Sequence, residues 1–211
     1  MTLIPGGRLI LATHNAGKIA EFGALLSPLG VTITSAGEAG LAEPEETGTT
    51  FEENAALKAE AARDATGLPA LADDSGLAVD ALNGDPGIYS ARWSGPDKDF
   101  SVAMARVLAL LNEAGCGDAQ RRGASFIVVL ALARPGEETL FFKGVTRGVI
   151  ASAPRGSQGF GYDPIFIPED GDGRSFGEMD KHEKHGIETP LSHRARAVAN
   201  FMKAVTREAA S

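Results

Sequence analysis

The chain has 211 residues, 43% hydrophobic and 23% charged, the composition of a globular protein long enough to bury a real core. Its formal charge of -8 argues against a general nucleic-acid or anionic-membrane binder, although a few lysines and a metal ion reverse the potential locally for a small polyanion. A single cysteine, Cys116, excludes an internal disulfide and a cysteine-built zinc site; with no secretory leader and no stretch approaching the roughly 20 apolar residues of a membrane span, a cytoplasmic location is expected.

Residues 8–12 are a short apolar run that reads as a strand, followed by a turn at 15–17. From Lys18 to Leu29 the residues Ile19, Phe22, Leu25, Leu26 and Leu29 recur at helical spacing, and 31–34 is a second, β-branched strand. An acidic loop, 36–49, carries Glu45 and Glu46. Thr50 with Glu53 predicts a capping box opening an alanine-rich helix over 51–66, with Gly67 as its stop. Residues 70–72 and 77–79 read as two strands flanking an acidic corner, Asp73-Asp74-Ser75-Gly76. A Gly/Pro-rich loop, 83–96, precedes a strongly apolar helix over 100–113. Residues 125–132 and 139–145 make the clearest hairpin, with 147–150 extending its second strand. A glycine-rich loop leads to a short strand at 165–167, 169–188 is polar and irregular, and Ser192 caps a last helix running to about Ala209. Strands and helices alternate early and a hairpin sits mid-chain, so the class is α/β with a mixed sheet under helical cover. With no repeat or linker, residues 1–211 read as a single domain.

Several clusters suit phosphate chemistry. Residues 13–18 form a strand-turn-helix junction whose free backbone N–H groups and Lys18 would attract phosphate oxygens. It is not a P-loop, since the first glycine is missing and Ile19 stands where Ser or Thr belongs; an ordinary turn with a solvated lysine is the plain alternative. Asn54 and Lys58, four apart, share one helix face, either against a ligand loop or as a polar outer stripe. Asp73 and Asp74 follow an apolar strand, where charge needs a cation, a hydrogen-bond net or a metal. Alternation along a strand sends them to different sides, so that one serves chemistry while the other holds the turn. A carboxylate here would bind Mg²⁺ or deprotonate an attacking water; Glu45 and Glu46 are the nearest candidates for a second metal carboxylate, or equally solvated surface. In the glycine-rich segment 156–164, Phe160 or Tyr162 would stack on a base and Asp163 would accept from ring N–H groups; core aromatics on a turn are the alternative. Lys184, His193 and Arg194 are late cationic or donor groups, with solvated surface residues as the plain alternative.

Taken in order, these segments resemble the inosine triphosphate pyrophosphatase family. The resemblance rests on Ala12-Thr13-His14-Asn15-Ala16-Gly17-Lys18 with Glu21, Glu45-Glu46-Thr47-Gly48-Thr49-Thr50-Phe51-Glu52-Glu53-Asn54-Ala55, Lys58-Ala59, and Ala72-Asp73-Asp74-Ser75-Gly76-Leu77. Pro86-Gly87-Ile88-Tyr89-Ser90-Ala91-Arg92, Gly159-Phe160-Gly161-Tyr162-Asp163-Pro164 and Ser192-His193-Arg194 complete it. It implies an elongated mixed twisted sheet flanked by helices, two lobes with a central substrate cleft, and a homodimer. It implies Mg²⁺-dependent hydrolysis of the non-standard purine nucleotides ITP, dITP and XTP to the monophosphate and pyrophosphate. Asp74 is then the catalytic base, and Glu45 and Asp74 are the metal carboxylates. Thr13, His14, Asn15, Ala16, Gly17 and Lys18 form the phosphate-binding turn, Lys58 is a further phosphate contact, and Ser75 touches substrate. Phe160, Gly161, Tyr162, Asp163, Lys184, His193 and Arg194 form the nucleotide-recognition set. One departure stands out: residues 185–191 are longer than the compact spacing expected between the lysine and Ser192-His193-Arg194, which makes Lys181 a competitor of Lys184.

Overall fold

The computed structural model describes residues 7–186 and 190–208. Its elements run β1 (Arg8–Leu11), α1 (Ala16–Leu26), β2 (Thr32–Ser35), α2 (Phe51–Thr66), β3 (Ala70–Val79), α3 (Phe100–Glu113), β4 (Gly123–Ala133), β5 (Leu140–Ile150), β6 (Phe166–Pro168), α4 (Lys181–Lys184) and α5 (His193–Glu208). Six strands form one sheet in the order β2-β1-β3-β4-β5-β6. β1 runs parallel to β2 and β3 while β5 runs antiparallel to β6, so the α/β class with a mixed sheet is as expected. β4 and β5 are neighbours joined by residues 134–139, a link too short for a parallel crossover, which makes them the expected hairpin.

Local signals set several boundaries. Thr50 caps α2 by accepting from the Glu53 N–H at 3.1 Å, and Gly67 ends it in the left-handed region at φ 68°. The expected capping box closes differently: the Glu53 carboxylate accepts from the Thr49 N–H at 2.6 Å and the Thr49 hydroxyl at 2.9 Å. α1 gives way after Leu26 to a 3-10 turn, Ser27–Leu29, because Pro28 has no N–H to continue the ladder. The polar stretch after β6 holds a 3-10 turn, Phe176–Glu178, as well as α4. The expected helix end near Ala209 and residues 187–189 of the long loop lie outside the described residues.

The main correction concerns residues 70–79. Instead of two strands around a corner, β3 is one unbroken strand with Asp73, Asp74, Ser75 and Gly76 in its interior. No turn exists there for a carboxylate to hold.

The described residues divide into two compact units, one of residues 7–74, 128–144 and 196–208, the other of 75–127, 145–186 and 190–195. In the first, strand alternation sorts side chains onto two faces. Leu9, Leu11, Leu71, Val128, Leu130 and Leu132 pack with Phe22 and Leu26 of α1 and with Ala197, Val198 and Phe201 of α5. Ile10, Ala12, Ala70, Ala72, Val129, Ala131 and Ala133 pack with Ala55, Ala59 and Ala62 of α2. This second face is built largely of alanine on both sides, which lets α2 lie close to the strands. The face that Ala70 and Ala72 share is also the face of Asp74; Leu71 shares its side with Asp73.

In the second unit α3 buries Ala103, Val107 and Leu111 against Leu77, Val79, Phe126, Ile150, Phe166 and Phe176. The strand residues just past the acids are held from one side by Ser90. Its hydroxyl accepts from the Leu77 N–H at 2.9 Å and donates to the Gly87 carbonyl at 2.7 Å, and its own carbonyl accepts from the Tyr162 hydroxyl at 2.9 Å. The approach is so close that a Cβ on Gly76 would overlap the Gly87 carbonyl oxygen and stand 2.6 Å from the Ser90 Oγ. Gly76→Ala is therefore expected to cost about 3 kcal/mol in urea unfolding through overpacking against backbone; a loss below about 0.5 kcal/mol would mean that this contact is not tight.

Candidate active site

In the first unit two adjacent carboxylates are buried on opposite sides of one strand, Asp73 at 2% and Asp74 at 6% exposure. Each meets an amine from the helix that covers its side. The Lys18 ammonium, in the first turn of α1, lies 2.8 Å from Asp73 Oδ2. Lys58 of α2 lies 3.5 Å from Asp74 Oδ1 and 2.5 Å from Glu46 Oε1. Asn54, one helical turn before Lys58, donates from Nδ2 to Asp74 Oδ2 at 3.3 Å and accepts from the Gly48 N–H at 2.8 Å. Asn54 and Lys58 are thus buried against an acid, and the polar outer stripe is excluded. Their burial follows from the alanines around them, which bring the helix near enough for both side chains to reach β3.

The junction at 13–18 has the expected form. Asn15 is the N-cap of α1, its Oδ1 accepting from the Lys18 N–H at 3.1 Å, and its own N–H donates to Thr13 Oγ1 at 3.2 Å. The first N–H groups of a helix have no intrahelical acceptor, so Ala16 and Gly17 present donors beside Lys18. His14 lies 2.9 Å through Nε2 from the Leu41 carbonyl, tying this turn to the acidic loop.

Charge and burial set the acid-base properties. Burial pushes the Asp74 carboxyl up to about 6, against the pull of Lys58 and with a further push from Glu46. For Lys58, burial acts downward, but Asp74, Asp73 and Glu46 outweigh it and raise the ammonium above its ordinary value. The acidic-loop residue that reaches this group is Glu46; Glu45 beside it is exposed.

The second unit holds the later set. Lys184, not Lys181, is the buried lysine: its ammonium lies 2.9 Å from Asp163 Oδ2, while Lys181 is exposed. Asp163 also accepts from the Phe160 N–H at 3.2 Å. Burial raises the Asp163 carboxyl above its ordinary range, with Lys184 opposing. Gly159 sits at φ +75°, and a Cβ there would collide with Asp163 and stand 2.5 Å from the Lys184 ammonium. Of the two aromatics, Phe160 is the partly open one, its ring faced by the Arg194 guanidinium 4.9 Å from the centroid. Tyr162 is buried edge-on against Phe100 at 5.5 Å with its hydroxyl on Ser90, which places it in the core. Neighbouring Gly161 is at φ +69°. Arg194 donates to Ser75 Oγ at 3.2 Å, and His193 is buried in a stack on Phe126 with centroids 4.7 Å apart. Asn54, read from its spacing to Lys58 as one of a pair that would face a ligand loop, belongs to the first arrangement; Gly159 and Ser90 belong to the second although sequence reasoning gave them no individual site role.

The comparisons agree with this architecture. The model of the Ham1 family matches residues 9–204. A dITP/XTP pyrophosphatase of Bradyrhizobium sp. (strain BTAi1) is 55% identical over 194 residues, 90% of each chain. One of Brucella melitensis is 50% identical over 208 residues, 95% of this chain and 94% of that one. Among solved structures, a HAM1 protein from Coxiella burnetii superposes with a TM-score of 0.84 at 40% identity, covering 95% of this chain and 98% of the other. The chain belongs to the Ham1 family. The resemblance read from its motifs is borne out.

Asp74 provides a direct check. Because its folded pKa lies above the unfolded value, the native state binds the extra proton, and this group lowers stability as pH rises from about 4 to about 6. Carbon-13 NMR of metal-free protein is expected to show an Asp74 carboxyl midpoint at about 6, moving upward in Lys58→Met. An ordinary midpoint near ~4 would contradict the burial described.

Proposed function

We propose that this protein hydrolyses ITP, dITP and XTP to the nucleoside monophosphate and pyrophosphate, removing them from the nucleotide pool. The observation that carries the reading is Asp74, a buried carboxylate pushed up to about 6 and flanked by lysines and the 13–18 turn, in a chain half identical to dITP/XTP pyrophosphatases. Asp74, poised near neutrality, accepts the proton of a water whose oxygen attacks the α-phosphorus. The bond from that phosphorus to the bridging oxygen breaks, and pyrophosphate leaves. Lys18 and Lys58 stabilise the charge developing on the leaving group, and the N–H groups of Ala16 and Gly17 hold phosphate oxygens.

The donor set suits magnesium. Among the described residues no three metal-ligating side chains form a cluster, and Mg²⁺ characteristically takes one or two carboxylates and completes its shell with water and substrate phosphates. Asp74 and the acidic segment Glu45-Glu46 would hold it, and the ion would neutralise phosphate charge there.

For the base, Phe160 offers a stacking face, Asp163 accepts ring N–H groups, and Lys184, His193 and Arg194 donate toward a 6-oxo group. The 6-amino group of adenine would oppose a donor with a donor, at about 1–3 kcal/mol per unmatched group, or about ten- to hundredfold. Arg194 also contacts Ser75, the expected substrate contact. A homodimer in the cytoplasm completes the proposal on the family resemblance; no described helix is long and apolar enough to cross a membrane.

A panel of ITP, dITP, XTP, ATP and GTP, assayed for pyrophosphate and orthophosphate with and without Mg²⁺, tests this. Wild type should release pyrophosphate from the first three, only with the metal, and Asp74→Asn should lower kcat by about 10² to 10⁴. Orthophosphate as first product, or undiminished turnover in the variant, would refute the assignment.

A further inference from the structure

The long 185–191 segment leaves its two ends, Lys184-His185 and Leu191-Ser192, to be joined by something other than a short chain. Two hydrogen bonds do this, and a third ties Leu191 to β5. The Ser192 N–H donates to the Lys184 carbonyl at 2.9 Å. His185 Nδ1 lies 2.9 Å from Ser192 Oγ. The Thr146 hydroxyl, fully buried on β5, donates to the Leu191 carbonyl at 2.6 Å. Ser192 is also the N-cap of α5, its Oγ accepting from the Ala195 N–H at 3.2 Å. His193 and Arg194 occupy the turn that this cap starts, and Lys184 precedes His185 in the chain.

We infer that His185 is a positioning residue for base selection: through Ser192 it fixes the start of α5, and with it Arg194 and His193, in register with Lys184. The chemistry is economical. Ser192 Oγ spends one lone pair on the Ala195 N–H, which leaves its hydrogen to be donated to an unprotonated Nδ1. Without that acceptor the Ser192 side chain keeps only the Ala195 N–H, and its tie to the Lys184-His185 end is reduced to the backbone bond. Arg194 then loses its fixed aim between the Phe160 ring, 4.9 Å away, and Ser75 Oγ, 3.2 Å away. The lysine, anchored independently on Asp163, stays where it is. His185 therefore acts on donor alignment and on no bond-making step.

This inference rests on the proposed nucleotide reading, and its test separates the two. The readout is the ratio of kcat/KM for ITP to that for ATP, from which the fraction of folded enzyme cancels. His185→Ala is expected to lower the ratio about threefold to tenfold, the worth of one hydrogen bond, mainly through KM for ITP. His185→Phe, which keeps a ring but no acceptor, should behave alike if the alanine variant folds poorly. His185→Asn, whose amide restores an acceptor, should recover the ratio. An unchanged ratio in both His185→Ala and His185→Phe overturns the inference, as does a loss that Asn fails to restore. A wild type that releases no pyrophosphate from ITP refutes the proposed function instead.

Discussion

The pairing of two adjacent buried aspartates with two lysines, one on each side of β3, is the constraint on which the rest of the candidate site depends. Breaking a buried ion pair by removing one partner costs about 3–5 kcal/mol, because the remaining charge loses its compensation in a medium that solvates it poorly. A strand carrying Asp73 and Asp74 is therefore tenable only if both covering helices supply an amine. α1 does so from its first turn with Lys18, and α2 does so from its second turn with Lys58. The same arrangement that neutralises the acids in the folded chain places two amines, two carboxylates and a helix N-terminus together, which is the equipment a triphosphate requires.

Asp73 and Asp74 differ in what surrounds them. Asp73 lies against the Lys18 amine on the leucine-rich side. Asp74 shares Lys58 with Glu46 and takes a hydrogen bond from Asn54, so its amine is divided and burial prevails. Packing explains why α2 reaches it: alanine on helix and strand alike shortens the distance that a lysine and an asparagine must span. A second buried pair, Lys184 with Asp163, repeats the principle in the second unit, where Gly159 leaves room for both charged groups.

The sequence was most informative where local chemistry decides the outcome. Thr50 and Gly67 marked the two ends of α2, the spacing around Phe22 and Leu26 marked α1, and the alternation rule separated Asp73 from Asp74. It misled where tertiary packing overrode local preference. Asp73-Asp74-Ser75-Gly76 has the composition of a turn, but neighbouring strands hold it extended. That Glu46 rather than Glu45 contacts Lys58, that Lys184 rather than Lys181 is buried, and that Phe160 rather than Tyr162 is the open aromatic depends on which side chain a neighbour covers. No periodicity records that.

Crossed double-mutant cycles test the central claim most directly, with Lys18→Met and Lys58→Met each combined with Asp73→Asn and Asp74→Asn and stability read from urea unfolding. The account predicts coupling of about 1–3 kcal/mol for Lys18 with Asp73 and for Lys58 with Asp74, and distinctly less for the crossed pairs. Equal coupling in all four combinations, or none within the cognate pairs, would contradict it.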